Sequence, residues 1–190
     1  MKRSIKSLLA TLVVSLCLAA PVLAGEAERR QRCAVRGYAF CQWDMGYHYD
    51  RGKGVPQDYA KAVEWYRKAA EQGYFMAQSA LGSMYGAGNG VPRDYAKAME
   101  WWRKAAEQGH DFSMVSLSQM YNFGLGVPQD YVLAHKWINL AAAIRSPGEA
   151  LTRAIEIRDS LAKKMTPAQI AEAQRLAREW RPKTADRARQ

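Results

Sequence analysis

The side chains able to do chemistry are few and scattered. His48, His110 and His135 could ligate a metal or shuttle protons, but none belongs to a run of Cys, Asp, Glu and His at the spacing of a zinc site. Asp50-Arg51-Gly52 lacks the recurring oxygen ligands of a calcium loop. Gly82-Ser83-Met84-Tyr85-Gly86 is not the Gly-x-Ser-x-Gly elbow of a hydrolase. Ser160-Leu161-Ala162-Lys163 has the Ser-x-x-Lys spacing of a serine acyl-transfer enzyme, yet neither Ser-Asp-Asn nor Lys-Thr-Gly follows it. Only Cys33 and Cys41 form a pair with an evident use, as a disulfide. These residues imply no catalytic centre, no bound metal and no cofactor, so function is sought in surface rather than in reaction chemistry.

The elements that would build such a surface are written three times. Gly-Val-Pro-Gln/Arg-Asp-Tyr begins at residues 54, 90 and 126, a constant period of 36 residues. Residues 38–73, 74–109 and 110–145 align without gaps. At this period each unit is one supersecondary element that cannot bury its apolar face alone and gains stability by stacking on its neighbours.

Within a unit, residues spaced by four mark a first helix whose buried stripe is Cys41, Met45 and Tyr49, then Ala77, Leu81 and Tyr85, then Ser113, Leu117 and Tyr121. Gly52 to Pro56 and its copies stop that helix, because glycine admits positive φ and proline disfavours helix in the residue before it. Asp58, Asp94 and Asp130 are placed to cap a second helix. Gly46 and Gly82, with alanines at 69 and 70, allow close approach, and Trp65, Trp101 and Trp137 are expected to fill the space between helices. His48 and His135 hold positions taken in other copies by Met84 and Val63, which points to packing. After the repeats, Ser146-Pro147 restarts a helix expected from about Gly148 to Met165. Thr166-Pro167-Ala168-Gln169 then reads as a capping box, opening a last helix. Residues 146–180 would cap the array, and 181–190 form a basic tail.

The pattern Ala-x-x-x-Leu-Gly-x-x-Tyr-x-x-Gly-x-Gly-Val-x-x-Asp-x-x-x-Ala-x-x-Trp, complete from Ala77 to Trp101, resembles the Sel-1-like repeat family, relatives of tetratricopeptide repeats. The resemblance implies an all-α, right-handed α-solenoid whose first helices line a concave groove, and a role in assembling or regulating other proteins. By the same resemblance a second stripe, Phe40, Trp43, Tyr47, Asp50 and Arg51, points into the groove. Its copies are Met76, Ser79, Ser83, Gly86 and Ala87, then Phe112, Val115, Gln119, Asn122 and Phe123. Exposed aromatics, Met and Arg are the material of interface hot spots. The expected partner-binding set is therefore Phe40, Trp43, Tyr47, Asp50, Arg51, Met76, Phe112, Val115, Gln119, Asn122 and Phe123. For Phe40 and Trp43 the alternative is packing against the N-terminal cap. Two other functions fit the family: an immunity protein occluding a secreted toxin, and the binding or hydrolysis of penicillin-like compounds. The relatives associated with the latter carry a cysteine pair in every repeat, whereas here the later equivalents are Ala69/Ala77 and Ala105/Ser113.

The first 24 residues read as a secretory signal: Lys2, Arg3 and Lys6, an uncharged run from Ser7, Pro21, and Val22-Leu23-Ala24 before Gly25. An uncleaved anchor is the alternative; the alanine-rich exit favours cleavage, leaving no stable membrane insertion and a periplasmic or secreted monomer. Removing the signal takes three of the positive charges from a net +10, and the remainder lies mostly outside the repeats. A nucleic-acid partner would need those charges on the working face. Residues 25–37 read as an N-terminal cap, in which Glu28 to Gly37 is a degenerate second helix with Gly37 matching Gly73. Cys33 and Cys41 each lie four residues from Gly37, so a hairpin there would bring them together, the alternative being two separate thiols.

Overall fold

The computed structural model describes residue 25 and residues 28–183; the signal and residues 184–190 of the tail lie outside them. The chain forms an all-α repeat solenoid. α1 covers residues 28–35. Three hairpins follow, pairing α2 (Ala39–Arg51) with α3 (Tyr59–Glu71), α4 (Phe75–Ala87) with α5 (Tyr95–Ala106), and α6 (Asp111–Phe123) with α7 (Tyr131–Ile144). α8 (Glu149–Ala162) and α9 (Pro167–Glu179) end the array. No helix among the described residues is long and apolar enough to cross a membrane.

The corners behave as their residues dictate. α2, α4 and α6 each end on a left-handed glycine, Gly52, Gly88 and Gly124, whose N–H closes on the carbonyl of His48, Met84 or Met120. Four residues beyond Gly54, the Asp58 carboxylate accepts the Lys61 N–H at 3.0 Å, and Asp94 and Asp130 repeat the bond to Lys97 and Leu133. That N–H, with the Lys61 ammonium, holds the Asp58 carboxyl below the usual carboxylate range. α9 opens on a full capping box, with Thr166 and Gln169 exchanging bonds of 2.9 and 3.3 Å.

Stacking between hairpins uses three recurring contacts. Arg67 donates to the Tyr85 hydroxyl and Arg103 to Tyr121, each second helix reaching the first helix of the next unit. Gln42 and Gln78, both buried, donate to the Ala34 and Ala70 carbonyls and accept from Gln72 and Gln108. The third copy replaces this polar pair with Met114 and Ile144. Finally, each later corner lands on the preceding hairpin: a Cβ on Gly90 would overlap the Tyr59 carbonyl, and one on Gly126 would stand 2.8 Å from Tyr95 Cβ.

The interior corrects one expectation. Trp65 and Trp101 do not fill the space between helices; they stay half-buried, with Lys68 and Lys104 over their rings at 4.4 and 4.1 Å from the centroids. The next residues do so instead. Tyr66 lies against Gly46 and Trp102 against Gly82, where an added Cβ would meet ring carbons at 2.5 and 2.7 Å. In the third unit the pair becomes Ser118 and Ile138, and Trp137 is also buried. The ends depart from the repeat as well. α8 is shorter than expected, and α8 and α9 pack on α7 rather than chiefly on each other. Beyond α9, Lys183 donates its backbone N–H to the Glu107 carbonyl at 2.8 Å and its ammonium to the Glu107 carboxylate at 2.5 Å, back in the second repeat.

At the other end α1 and α2 form a half-repeat. Gly37 takes φ +92°, like Gly73 and Gly109, and Ala34 is fully buried. A disulfide joins Cys33 to Cys41, whose Cα atoms are 5.7 Å apart. Arg30 and Asp44 pair beside it at 2.6 Å. Reducing this bond should cost about 2–3 kcal/mol, the loop-closure value for so short a loop. Chemical denaturation with and without reductant measures it; an unchanged midpoint would show that α1 contributes nothing to stability.

Candidate functional site

The first helices share a start that shapes the surface between them. Tyr38, Tyr74 and His110 are their N-cap residues, each with extended backbone. An extended residue does not follow the helical rotation, so its ring stands off the helix and reaches toward the neighbouring unit. Tyr74 thereby meets Phe40 at 6.4 Å and Trp43 at 5.8 Å between ring centroids. Trp43 stacks on Tyr47 at 5.9 Å, Tyr74 touches Phe75, Phe75 touches His110 at 5.4 Å, and His110 touches Phe112 at 6.3 Å. The result is a continuous row of rings running from Tyr47 across three repeats to Phe112.

Alongside the row lies a groove of about 490 Å³. Trp43, Tyr47, Met76 and Phe112 line its apolar side, buried Ser79 and Met84 its floor, and Asp50, Arg51, Gln57 and Asn89 its polar side. Arg51 Nε lies 3.5 Å from Asp50 Oδ2, and the Tyr66 hydroxyl donates to the same oxygen at 3.5 Å. Burial, and then the Asp50 charge, push the Tyr66 phenol well above its ordinary range, so it stays a donor. Gln57 Nε2 donates to the Asp50 carbonyl at 2.8 Å and to the Tyr59 hydroxyl, stiffening this wall.

The stripe expected to line one groove divides in two. Trp43, Tyr47, Asp50, Arg51, Met76 and Phe112 surround the groove, and Phe40 touches Trp43 and Tyr74 of its ring row. Val115 is half-buried against the core. Gln119, Asn122 and Phe123 instead line a separate cleft of about 290 Å³ against Glu156, Ile157 and Ser160 of α8, because α8 docks where a fourth first helix would stand. Lys164 closes one edge by donating to Asn122 Oδ1 at 3.5 Å. Phe40 and Trp43 pack on Tyr74 of the next unit. Tyr74, His110, Gln57 and Asn89 lie outside the helices on which the stripe is counted, and Phe75, the first residue of α4, lies off it; aromatics following Gly37, Gly73 and Gly109 were the available signal.

Chemically this surface is a mixed apolar and polar lining. It offers ring faces, two methionines, serine and tyrosine hydroxyls, planar amides, the His110 imidazole and the paired Asp50 and Arg51, and the described residues contain no cluster of three metal-ligating side chains. His48 is occupied locally, 2.5 Å from the Lys53 carbonyl and 3.7 Å from Asp44. His135 is buried in the core.

Comparison with known families settles what kind of repeat this is. The Sel1 repeat model matches residues 39–74, 75–110 and 112–144, more than half of the chain. The chain belongs to the Sel1 repeat family. It is similar to the crystal structure of a protective antigen present in uropathogenic Escherichia coli strains and displaying the same repeat fold, with 35% identity and a TM-score of 0.72. That match covers 84% of this chain and 34% of the antigen, so the chain spans about a third of the antigen's length. A Sel1 repeat protein from Oxalobacter formigenes is similar at 34% identity and a TM-score of 0.60, over 69% of this chain and 98% of that one. No curated protein matches at a significant level. Sel1 repeats commonly serve as protein-interaction scaffolds, and the groove is built from their first helices.

Proposed function

We propose that this chain is an exported, monomeric interaction module that seats a peptide segment of a partner protein along its ring row, without catalysing a reaction. One observation carries this reading: Phe40 and Phe112 are 59% and 51% exposed on a row of contacting aromatic rings beside a groove. Soluble surfaces seldom present contiguous apolar area without a partner for it. Rigid aromatic anchors lose little entropy on contact, and polar groups such as Gln57 and Asn89 suit a backbone laid between them. Export is supported by the signal-like leader, by the Cys33–Cys41 disulfide and by likeness to a bacterial antigen.

Cross-linked capture from the cell envelope tests it. Trp43→Ala with Phe112→Ala should weaken capture of the recovered partner at least about tenfold, or 1.4 kcal/mol, while Phe123→Ala in the second cleft leaves it within about twofold. Equal capture by the double variant, with its helical spectrum intact, would remove the groove from the binding surface.

A further inference from the structure

We infer that acidification weakens the groove's hold on an apolar segment, because a proton on His110 places a positive charge inside the ring row. The inference rests on the groove being the binding surface. His110 occupies the N-cap position held by Tyr38 and Tyr74 in the other units. Of these three, histidine alone changes charge between about pH 5 and 8. Its ring lies between Phe75 and Phe112 and lines the groove. Nδ1 is 3.0 Å from the Oγ of fully buried Ser113, which satisfies one ring nitrogen in either protonation state. A second ring N–H, gained on protonation, needs water or an acceptor, and an apolar segment lying over the ring supplies neither.

The surrounding charges do not provide a counter-ion free to hold that proton. α4 contributes no charged residue over its whole length. Asp111, next to His110 on α6, is engaged at 2.8 Å by Arg145, the residue after α7, and Arg145 also donates to the Ala150 carbonyl in the first turn of α8. At the end of α5, Glu107 is taken by Lys183 from the C-terminal segment. Across the groove, Asp50 of α2 is paired with Arg51. The amino end of α6 itself disfavours a cation. Burial accordingly holds His110 below the ordinary histidine range, an effect Asp111 only partly offsets. The charge therefore appears at lower pH than it would on a free histidine.

The test uses the chain from Gly25 onward and N-phenyl-1-naphthylamine, an uncharged apolar dye. Its affinity, followed by fluorescence, should fall about tenfold between about pH 7.5 and pH 4.5, with the helical circular dichroism retained. In His110→Tyr the ratio of the two affinities should shrink to within about twofold, whatever the affinity at neutral pH. By linkage, saturating dye should also move the His110 ring titration, read by NMR, further toward acid. Dye binding that Trp43→Ala abolishes but that is equal at both pH values overturns this inference alone. So does a loss of affinity that persists in His110→Tyr. Dye binding indifferent to Trp43→Ala, or absent at neutral pH, overturns the groove as a binding surface and this inference with it.

Discussion

Gly82→Ser is expected to destabilise the protein by about 2–3 kcal/mol, and adding Trp102→Ile to restore most of that loss. A Cβ at position 82 meets the Trp102 ring at 2.7 Å, and the ring is buried among Ala98, Leu117 and their neighbours with nowhere to retreat. Overpacking of this kind forces a rotamer change or a backbone shift. Trp102→Ile alone should also cost about 2–4 kcal/mol, since it leaves a cavity above the glycine. The third repeat carries Ser118 and Ile138, both fully buried, at the equivalent positions. The two changes are therefore coupled, and a double-mutant cycle by urea denaturation should return an interaction energy above about 1 kcal/mol. Simple additivity would mean that Gly82 is not there to admit the ring.

The second large effect separates two glycines that share a conformation. Gly54 and Gly90 have φ of +71° and +70°, yet a Cβ on Gly54 meets nothing within 4 Å while one on Gly90 overlaps the Tyr59 carbonyl and the Ala60 nitrogen. Gly54→Ala should thus cost only the left-handed penalty, about 1–2 kcal/mol. Gly90→Ala should cost at least about twice as much, because the corner must also lift from the preceding hairpin. Thermal unfolding of the two variants beside the parent compares them directly. Equal shifts would mean that the corners turn the chain but take no part in stacking.

Much of this architecture is legible before any coordinates. The left-handed glycines, the aspartate caps and the capping box at Thr166 follow from local chemistry, which three copies in register repeat. What local chemistry leaves open is which of two adjacent aromatics turns inward. Trp65 and Tyr66 differ by one helical step of about 100°, both are large, and the decision belongs to the bare backbone of Gly46 on another helix. The candidate groove was half visible for a similar reason. Helical spacing finds Trp43, Tyr47 and Phe112, but Tyr74 and His110 sit on extended residues outside the periodicity. The separation of Phe123 from Phe112 depends on where α8 docks, and α8 carries no copy of the repeat.

The two ends of the array carry a last consequence. A stack of hairpins in which each touches only its neighbours ordinarily frays from its termini inward. Here the first turn is covalently stitched at Cys33–Cys41, and the chain's far end skips its nearest hairpin to grip Glu107 one unit further in. Both termini are thus tethered by more than packing on a neighbour, which raises the cost of opening the array from either end.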